Sequence, residues 1–166
     1  YRAMKPTRTV AALLALTLFL LTASAADRAG SRVEIVAGAD GYTLLRNGEP
    51  YFVKGAGGQT DLARLVGAGG NSIRTWGADD AGEILDRAHA HGVTVTLGIW
   101  IQHPRHGFDY TNERAVMEQR EMVRRVVREH KDHPALLMWG VGNEVELNSD
   151  PDLVFPEINE LARIIE

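Results

Sequence analysis

The chain has 166 residues, of which 45% are hydrophobic and 24% charged, with a formal net charge of −4 and no cysteine. An acidic chain with no basic stretch interleaved with aromatics is not a nucleic-acid binder. Without disulfides, its stability has to come from a buried core.

Residues 1–26 have the layout of a secretory signal peptide. Met4 reads as the start, Lys5 and Arg8 form a basic lead, residues 10–21 are apolar and uncharged, and Ala23-Ser24-Ala25 fits a small-x-small cleavage pattern. The apolar run is shorter than the roughly 20 residues of a membrane span. The expectation is therefore cleavage near Ala25 or Ala26, a secreted or periplasmic location, and no stable membrane insertion afterwards. An uncleaved N-terminal anchor is the rival, and the absence of cysteine excludes a lipid anchor. The removed segment carries Arg2, Lys5 and Arg8 and no acid, so the remainder is more acidic still.

Residues 27–50 divide into a small, polar lead and a predicted β-hairpin. Tyr42-Thr43-Leu44-Leu45 and Tyr51-Phe52-Val53 flank Arg46-Asn47-Gly48-Glu49-Pro50, and Asn-Gly between apolar runs is a strong hairpin signal. A strand–helix alternation fills residues 51–166. A first strand over 51–54 ends in Gly55-Ala56-Gly57-Gly58, read as a tight turn. Residues 60–66 have helical spacing, and 71–76 form the second strand. A helix over 79–91 stops at Gly92, and 93–100 is a β-branched third strand. A charged helix follows over 111–130, with Val116, Val123, Val126 and Val127 as its stripe. Residues 135–141 are a short apolar run bounded by Pro134 and Gly142, which reads as a buried fourth strand. A fourth helix begins at Pro151, with Leu153, Ile158, Leu161 and Ile164 or Ile165 facing inward.

Alternation of this kind implies parallel βαβ units with right-handed crossovers. Four strands admit either a small open α/β sheet or half of an eight-stranded barrel, which typically needs about 250 residues. The sequence stops within a helical pattern and begins ahead of Met4, so the expected architecture is the N-terminal half of a (β/α)8 TIM barrel, preceded by the hairpin.

In such a barrel the chemistry sits at the C-terminal ends of the strands. Here those ends carry Arg74-Thr75-Trp76, Trp100-Ile101-Gln102-His103 and Asn143-Glu144, a set of guanidinium, indole, imidazole, amide and carboxylate groups suited to sugars. Trp76 and Trp100 fit as stacking platforms or as packing residues.

Three segments carry a more specific resemblance: the hairpin with its following strand (45–55), Gly70-Asn71-Ser72-Ile73-Arg74-Thr75-Trp76, and Trp139-Gly140-Val141-Gly142-Asn143-Glu144. Their order resembles glycoside hydrolase clan A, most closely the barrel domain of family two. The resemblance implies a retaining β-glycosidase or a transglycosylating relative. In it Glu144 is the general acid/base, Asn143 holds the sugar 2-hydroxyl, Arg74 hydrogen-bonds the nucleophile and keeps it ionised, and His103 lines the sugar subsite. It also implies a nucleophilic Glu on strand seven, beyond this sequence. Such chemistry uses two carboxyl groups about 5–5.5 Å apart, with the acid made reluctant to ionise by partial burial and by the second carboxylate. Glu146 and Asp109 read as loop residues.

Other chemistries fit less well. His89-x-His91, His130 and His133 fall at helix ends, on the face opposite the strand tips, and His103 and His106 have no paired acid, so no metal site is expected. Gly55-Ala56-Gly57-Gly58 lacks the third glycine of a dinucleotide loop and the Lys-Ser/Thr of a phosphate loop. No cofactor is expected. The expected partner is an oligo- or polysaccharide substrate, with a non-catalytic sugar-binding barrel as the rival reading.

Overall fold

The computed structural model describes residues 30–39 and 41–166; the expected signal peptide lies outside the described residues. Three strands, β1 (Val33–Gly38), β2 (Gly41–Arg46) and β3 (Glu49–Pro50), form an antiparallel sheet in that order. Arg46 pairs with Glu49 across Asn47-Gly48. Both turn residues have positive φ, 54° and 85°, as a two-residue turn matching the strand twist requires. The second arm is shorter than the sequence suggested. After one more rung, from Tyr51 N to the Leu44 carbonyl at 2.8 Å, the chain leaves the sheet. The Asn71 side chain then pins it, accepting from Lys54 N at 2.8 Å and donating to the Phe52 carbonyl at 2.9 Å. The small sheet is tied to the chain just ahead of the last strand, because Ser31 Oγ and Arg46 Nη2 both donate to the Pro134 carbonyl, at 2.5 and 3.0 Å.

The second sheet is parallel: β4 (Gly55–Gly57), β5 (Ser72–Arg74), β6 (Thr94–Ile99) and β7 (Leu136–Val141), in sequential order. Helices α1 (Leu62–Gly67), α2 (Ala81–Ala90) and α3 (Glu113–His130) connect them, and α4 (Pro151–Ile165) follows β7. The glycine run read as a turn is itself strand β4. A Cβ on Gly55 would lie 3.0 Å from the Ser72 carbonyl oxygen, and one on Gly57 would lie 2.8 Å from the Trp76 ring. Side chains are absent there because backbone and indole approach closely. Only Gly58, at φ 105°, makes the turn.

Strand β6 alternates polar or small residues with large apolar ones. Val95, Leu97 and Ile99 are fully buried. The first two pack with Leu62, Ile84, Leu85 and Ala88 of α1 and α2, and Ile99 packs with Val123, Val127, Val154 and Leu161 of α3 and α4. All four helices therefore cover one face of the sheet. Ser72, Arg74, Thr94, Thr96, Gly98, Met138 and Gly140 register with one another on the other face and join neither core. Gly98 is sterically obligatory: a Cβ would stand 2.3 Å from the Thr75 carbonyl oxygen and 2.6 Å from the Trp76 carbonyl carbon. The chain leaving β5 thus crosses directly over β6.

Of the α4 residues expected to face inward, Leu161 is buried and Ile158, Ile164 and Ile165 pack against the core, whereas Leu153 does not. Val154, Glu157 and Leu161 are buried, while Leu153 is 41% exposed. Arg120 of α3 sets the rotation. Its guanidinium grips the buried Glu157 carboxylate with three contacts, Nε at 3.0 Å to each oxygen and Nη2 at 2.5 Å to one, so Glu157 must turn inward. Among the described residues no helix is long and apolar enough to cross a membrane.

Candidate active site

The sheet delivers its polar residues to one edge, at the C-terminal ends of the strands. Arg74 closes β5, and its Nη2 donates to Asn143 Oδ1 beyond β7 at 3.2 Å. Arginine has only donors, so the Asn143 oxygen faces the guanidinium and the Nδ2 hydrogens are free to donate elsewhere. The Arg74 guanidinium also lies 5.9 Å from the centre of the Trp76 ring, within cation–π reach. Trp76 is 44% exposed, so it offers open indole surface. Buried Thr75 holds this segment in place: its Oγ1 accepts from Gly98 N at 3.0 Å and donates to the Gly77 carbonyl at 2.9 Å.

Past β7 the chain takes two left-handed residues, Gly142 at φ 72° and Glu144 at φ 51°. Val145 is thereby driven into the core at 6% exposure. The consequence for Glu144 departs from the sequence expectation of a partly buried carboxyl beside a second carboxylate. Its side chain is 59% exposed, and the charged group beside it is Arg105, with Nη2 at 3.9 Å. The turn that buries Val145 is what swings the glutamate outward. A left-handed glutamate is uncommon and carries strain of order 1–3 kcal/mol, and burial of Val145 helps to hold it.

The loop after β6 is tightly held. Gln102 N donates to Gln119 Oε1 of α3 at 2.8 Å, and Tyr110 Oη donates to the Gln102 carbonyl at 2.7 Å. Trp100 stacks on His103 with ring centres 4.9 Å apart, and His106 lies 5.4 Å from His103. Trp100 is thus engaged with imidazoles rather than standing alone. His103 is fully buried, and neither ring nitrogen has a hydrogen-bond partner among the described residues. Burial, chiefly, holds His103 below its ordinary pKa of 6.5; the charges of Arg105 and His106 add to this, and Glu144 and the Asn143 backbone oppose it. The folded chain therefore resists protonating His103 more than the unfolded chain does. Stability from this group is intact above pH 6.5 and declines as the pH falls towards the lowered value. In an NMR titration the ring resonance missing from His103→Gln is expected to have its midpoint below 6.5. A midpoint at or above 6.5 would show an open, solvated imidazole.

The structure thus joins Arg74, Asn143 and Trp76 in one group, and Trp100, His103 and His106 in another. Glu144 neighbours both through Asn143 and Arg105. Arg105 and His106 sit on a 3-10 turn (Pro104–His106). Sequence reasoning gave Arg105 no role, because only the path of the loop brings it to Glu144. Asp109 is committed to its own turn: its carboxylate accepts from Thr111 N and Oγ1 at 2.8 and 2.7 Å, and the Thr111 hydroxyl and amide hold it below the usual carboxylate range. On the opposite edge, His133 Nε2 pairs with the Asp86 carboxylate at 3.2 Å. No group of three or more metal-ligating side chains occurs among the described residues.

No family model matches the chain. A β-glucuronidase of Pongo abelii is 28% identical over 122 residues, covering 61% of this chain and 18% of that protein. One of Paenibacillus borealis is 24% identical over 158 residues, covering 76% of this chain and 26% of that protein. Among solved structures, the β-glucuronidase of Bifidobacterium dentium complexed with coumarin-3-O-glucuronide matches with a TM-score of 0.63 at 22% identity, over 81% of this chain and 24% of that one. The family-two β-galacturonidase of Eisenbergiella tayi bound to galacturonate matches with a TM-score of 0.64 at 20% identity, over 81% of this chain and 26% of that one. The chain is thus similar in sequence to β-glucuronidases, and its α/β fold, a parallel sheet with helices, is similar to the family-two barrel domain. It spans about a fifth to a quarter of the length of these relatives.

Proposed function

We propose that this chain is the N-terminal half of the (β/α)8 barrel of a retaining β-glycosidase, with Glu144 as general acid/base and Asn143, Arg74, Trp76, Trp100 and His103 around the sugar. The observation that carries the reading is the Arg74–Asn143 hydrogen bond at 3.2 Å, made between the tips of two parallel strands immediately beside Glu144. The sheet order supports the half-barrel. It runs β4-β5-β6-β7 without reversal and is helix-covered on one face. A doubly wound sheet reverses its order and covers both faces.

The chemistry follows from the geometry. With Asn143 Oδ1 held by Arg74, the Nδ2 hydrogens are presented to a sugar 2-hydroxyl, a contact that strengthens as the oxocarbenium-like transition state forms. Glu144 then protonates the departing glycosidic oxygen while a carboxylate from the second half of the barrel attacks the anomeric carbon. In the following step Glu144 takes a proton from the attacking water. Arg74, next to the centre of the site, would hydrogen-bond that nucleophile and keep it ionised.

The test is the stereochemistry of the first product. The complete protein, given aryl β-glycosides, is expected to release the β-anomer first, as read by proton NMR before mutarotation. First release of the α-anomer would mean inversion and would overturn the retaining mechanism.

A further inference from the structure

His103 takes no step in the mechanism above, and of the proposed site residues it alone is fully buried. Burial alternates along the chain leaving β6. Ile99, Ile101 and His103 are at 0% exposure, whereas Trp100 and Gln102 are not buried. The imidazole therefore takes the place of a third apolar residue and offers no open surface to a sugar, as Trp76 does. Neither ring nitrogen has a hydrogen-bond partner among the described residues. A neutral imidazole carries one N–H and one lone pair, and leaving them unpaired in the interior is unfavourable. An isoleucine at this position would avoid that penalty.

The segment that carries the acid lies alongside. Beyond the sheet, the chains leaving β6 and β7 run side by side. Gly142 N donates to the Ile99 carbonyl at 3.0 Å, and a Cβ on Gly142 would stand 3.3 Å from Ile101 Cγ1. Further out, Arg105 Nη2 lies 3.9 Å from the Glu144 carboxylate. His103 falls between Ile101 and Arg105, so Asn143 and Glu144 are its neighbours across the gap. Trp100 lies against the ring at 4.9 Å, with His106 at 5.4 Å. Arg105, His106 and Glu144 are the charged and titratable groups that act on it, and the Asn143 backbone favours a proton on the ring, as a carbonyl acceptor does. The pair is outside hydrogen-bond geometry, which is common for such bonds before the Michaelis complex tightens them.

The acid needs a support of this kind. Glu144 has φ 51°, a conformation that persists only where the surroundings hold it. Buried Val145 anchors the chain after it, and Arg74 holds the Asn143 side chain. The peptide that joins Asn143 to Glu144 has neither anchor. Resting on the glycosidase reading, we infer that His103 is a positioning residue: a neutral donor behind the acid that holds the Asn143 carbonyl, sets the direction of the Glu144 carboxyl, and does not touch the sugar.

The complete protein tests this with β-glycosides of graded leaving-group acidity, compared in kcat/KM, which covers the step in which the leaving group departs. His103→Phe keeps a ring against Trp100 but has no N–H. It is expected to lower kcat/KM roughly 10- to 100-fold for poor leaving groups, the scale on which a misplaced catalytic group acts, and far less for nitrophenyl glycosides. His103→Gln keeps a donor and should recover part of the loss. In a Glu144→Gln background no proton remains to be placed, so adding His103→Phe is expected to cost no more than about twofold, whereas independent sites would multiply. Equal losses across the series would overturn the inference, because a sugar contact or a general loosening of the fold is blind to the leaving group. A full multiplied loss in the Glu144→Gln background would overturn it too. If the Phe variant does not fold, His103→Asn and His103→Gln carry the comparison, since their amide nitrogens reach to different depths; equal activity of the two would overturn a directed hydrogen bond. A Glu144→Gln protein as active as wild type on every substrate would instead overturn the glycosidase reading itself.

Discussion

Replacing Glu144 by glutamine in the complete protein is expected to lower turnover of glycosides with poor leaving groups by about 10²–10⁴-fold, the usual contribution of a general acid. The amide has nearly the same shape and still accepts a hydrogen bond, but it has no proton to give to the departing oxygen. The loss should therefore depend on the leaving group. Alkyl glycosides leave as strongly basic alkoxides and need the proton. Nitrophenyl glycosides leave as stable phenolates and should suffer far less in the first, glycosylating step. Folding is not expected to confuse the result, because the Glu144 side chain is 59% exposed and its contact in the chain is the 3.9 Å approach of Arg105. The core is held instead by neighbouring Val145, at 6% exposure. A series of aryl glycosides of graded leaving-group acidity reads the dependence directly. Equal losses across the series would remove Glu144 from the acid role.

That prediction was available from the sequence, whereas the surroundings of Glu144 were not. Asn-Glu at the end of a short apolar run is a local pattern, and so are Asn47-Gly48 between apolar segments and the helical spacings that set α2 and α3. What could not be read depends on how distant segments meet. Gly55-Ala56-Gly57-Gly58 looks like turn chemistry because three glycines in four residues are flexible in isolation; its first three residues are a strand, in which Ser72 and the Trp76 ring leave no room for a Cβ at Gly55 or Gly57. Leu153 looks like a core residue because it is apolar at helical spacing; it is exposed because Arg120, on another helix, draws Glu157 inward and rotates α4 towards Val154. The exposure of Glu144 follows from the left-handed turn at 142–144, and neither Gly142 nor Glu144 by itself announces the burial of Val145. Arg105 belongs to no motif, and only the clamping of Gln102 by Gln119 and Tyr110 brings its loop to the acid.

Residues 27–166 expressed alone are expected to show no turnover of any aryl β-glycoside and to associate in solution. The catalytic part follows from the site. The strand tips supply one carboxyl group, Glu144, with Arg74 and Asn143 to position it, whereas retaining chemistry needs a second carboxylate about 5–5.5 Å away on the other side of the sugar. Among the described acids near that edge, Asp109 is bound into its own turn, and Glu146 lies two residues along the same segment, from which it cannot reach the opposite face of a ring. The associative part follows from the sheet. β4 and β7 are both edges of the four-stranded sheet, with backbone groups open to pairing. The face bearing Thr96, Gly98, Met138 and Gly140 is outside both cores, and Met138 is 38% exposed on it. Open parallel edges beside a face that is only partly covered favour intermolecular contact over an isolated monomer. Gel filtration alongside the activity panel tests both parts together. Robust turnover by a well-behaved monomer would sink the half-barrel reading and require a complete small α/β enzyme whose second catalytic group lies among the residues already named.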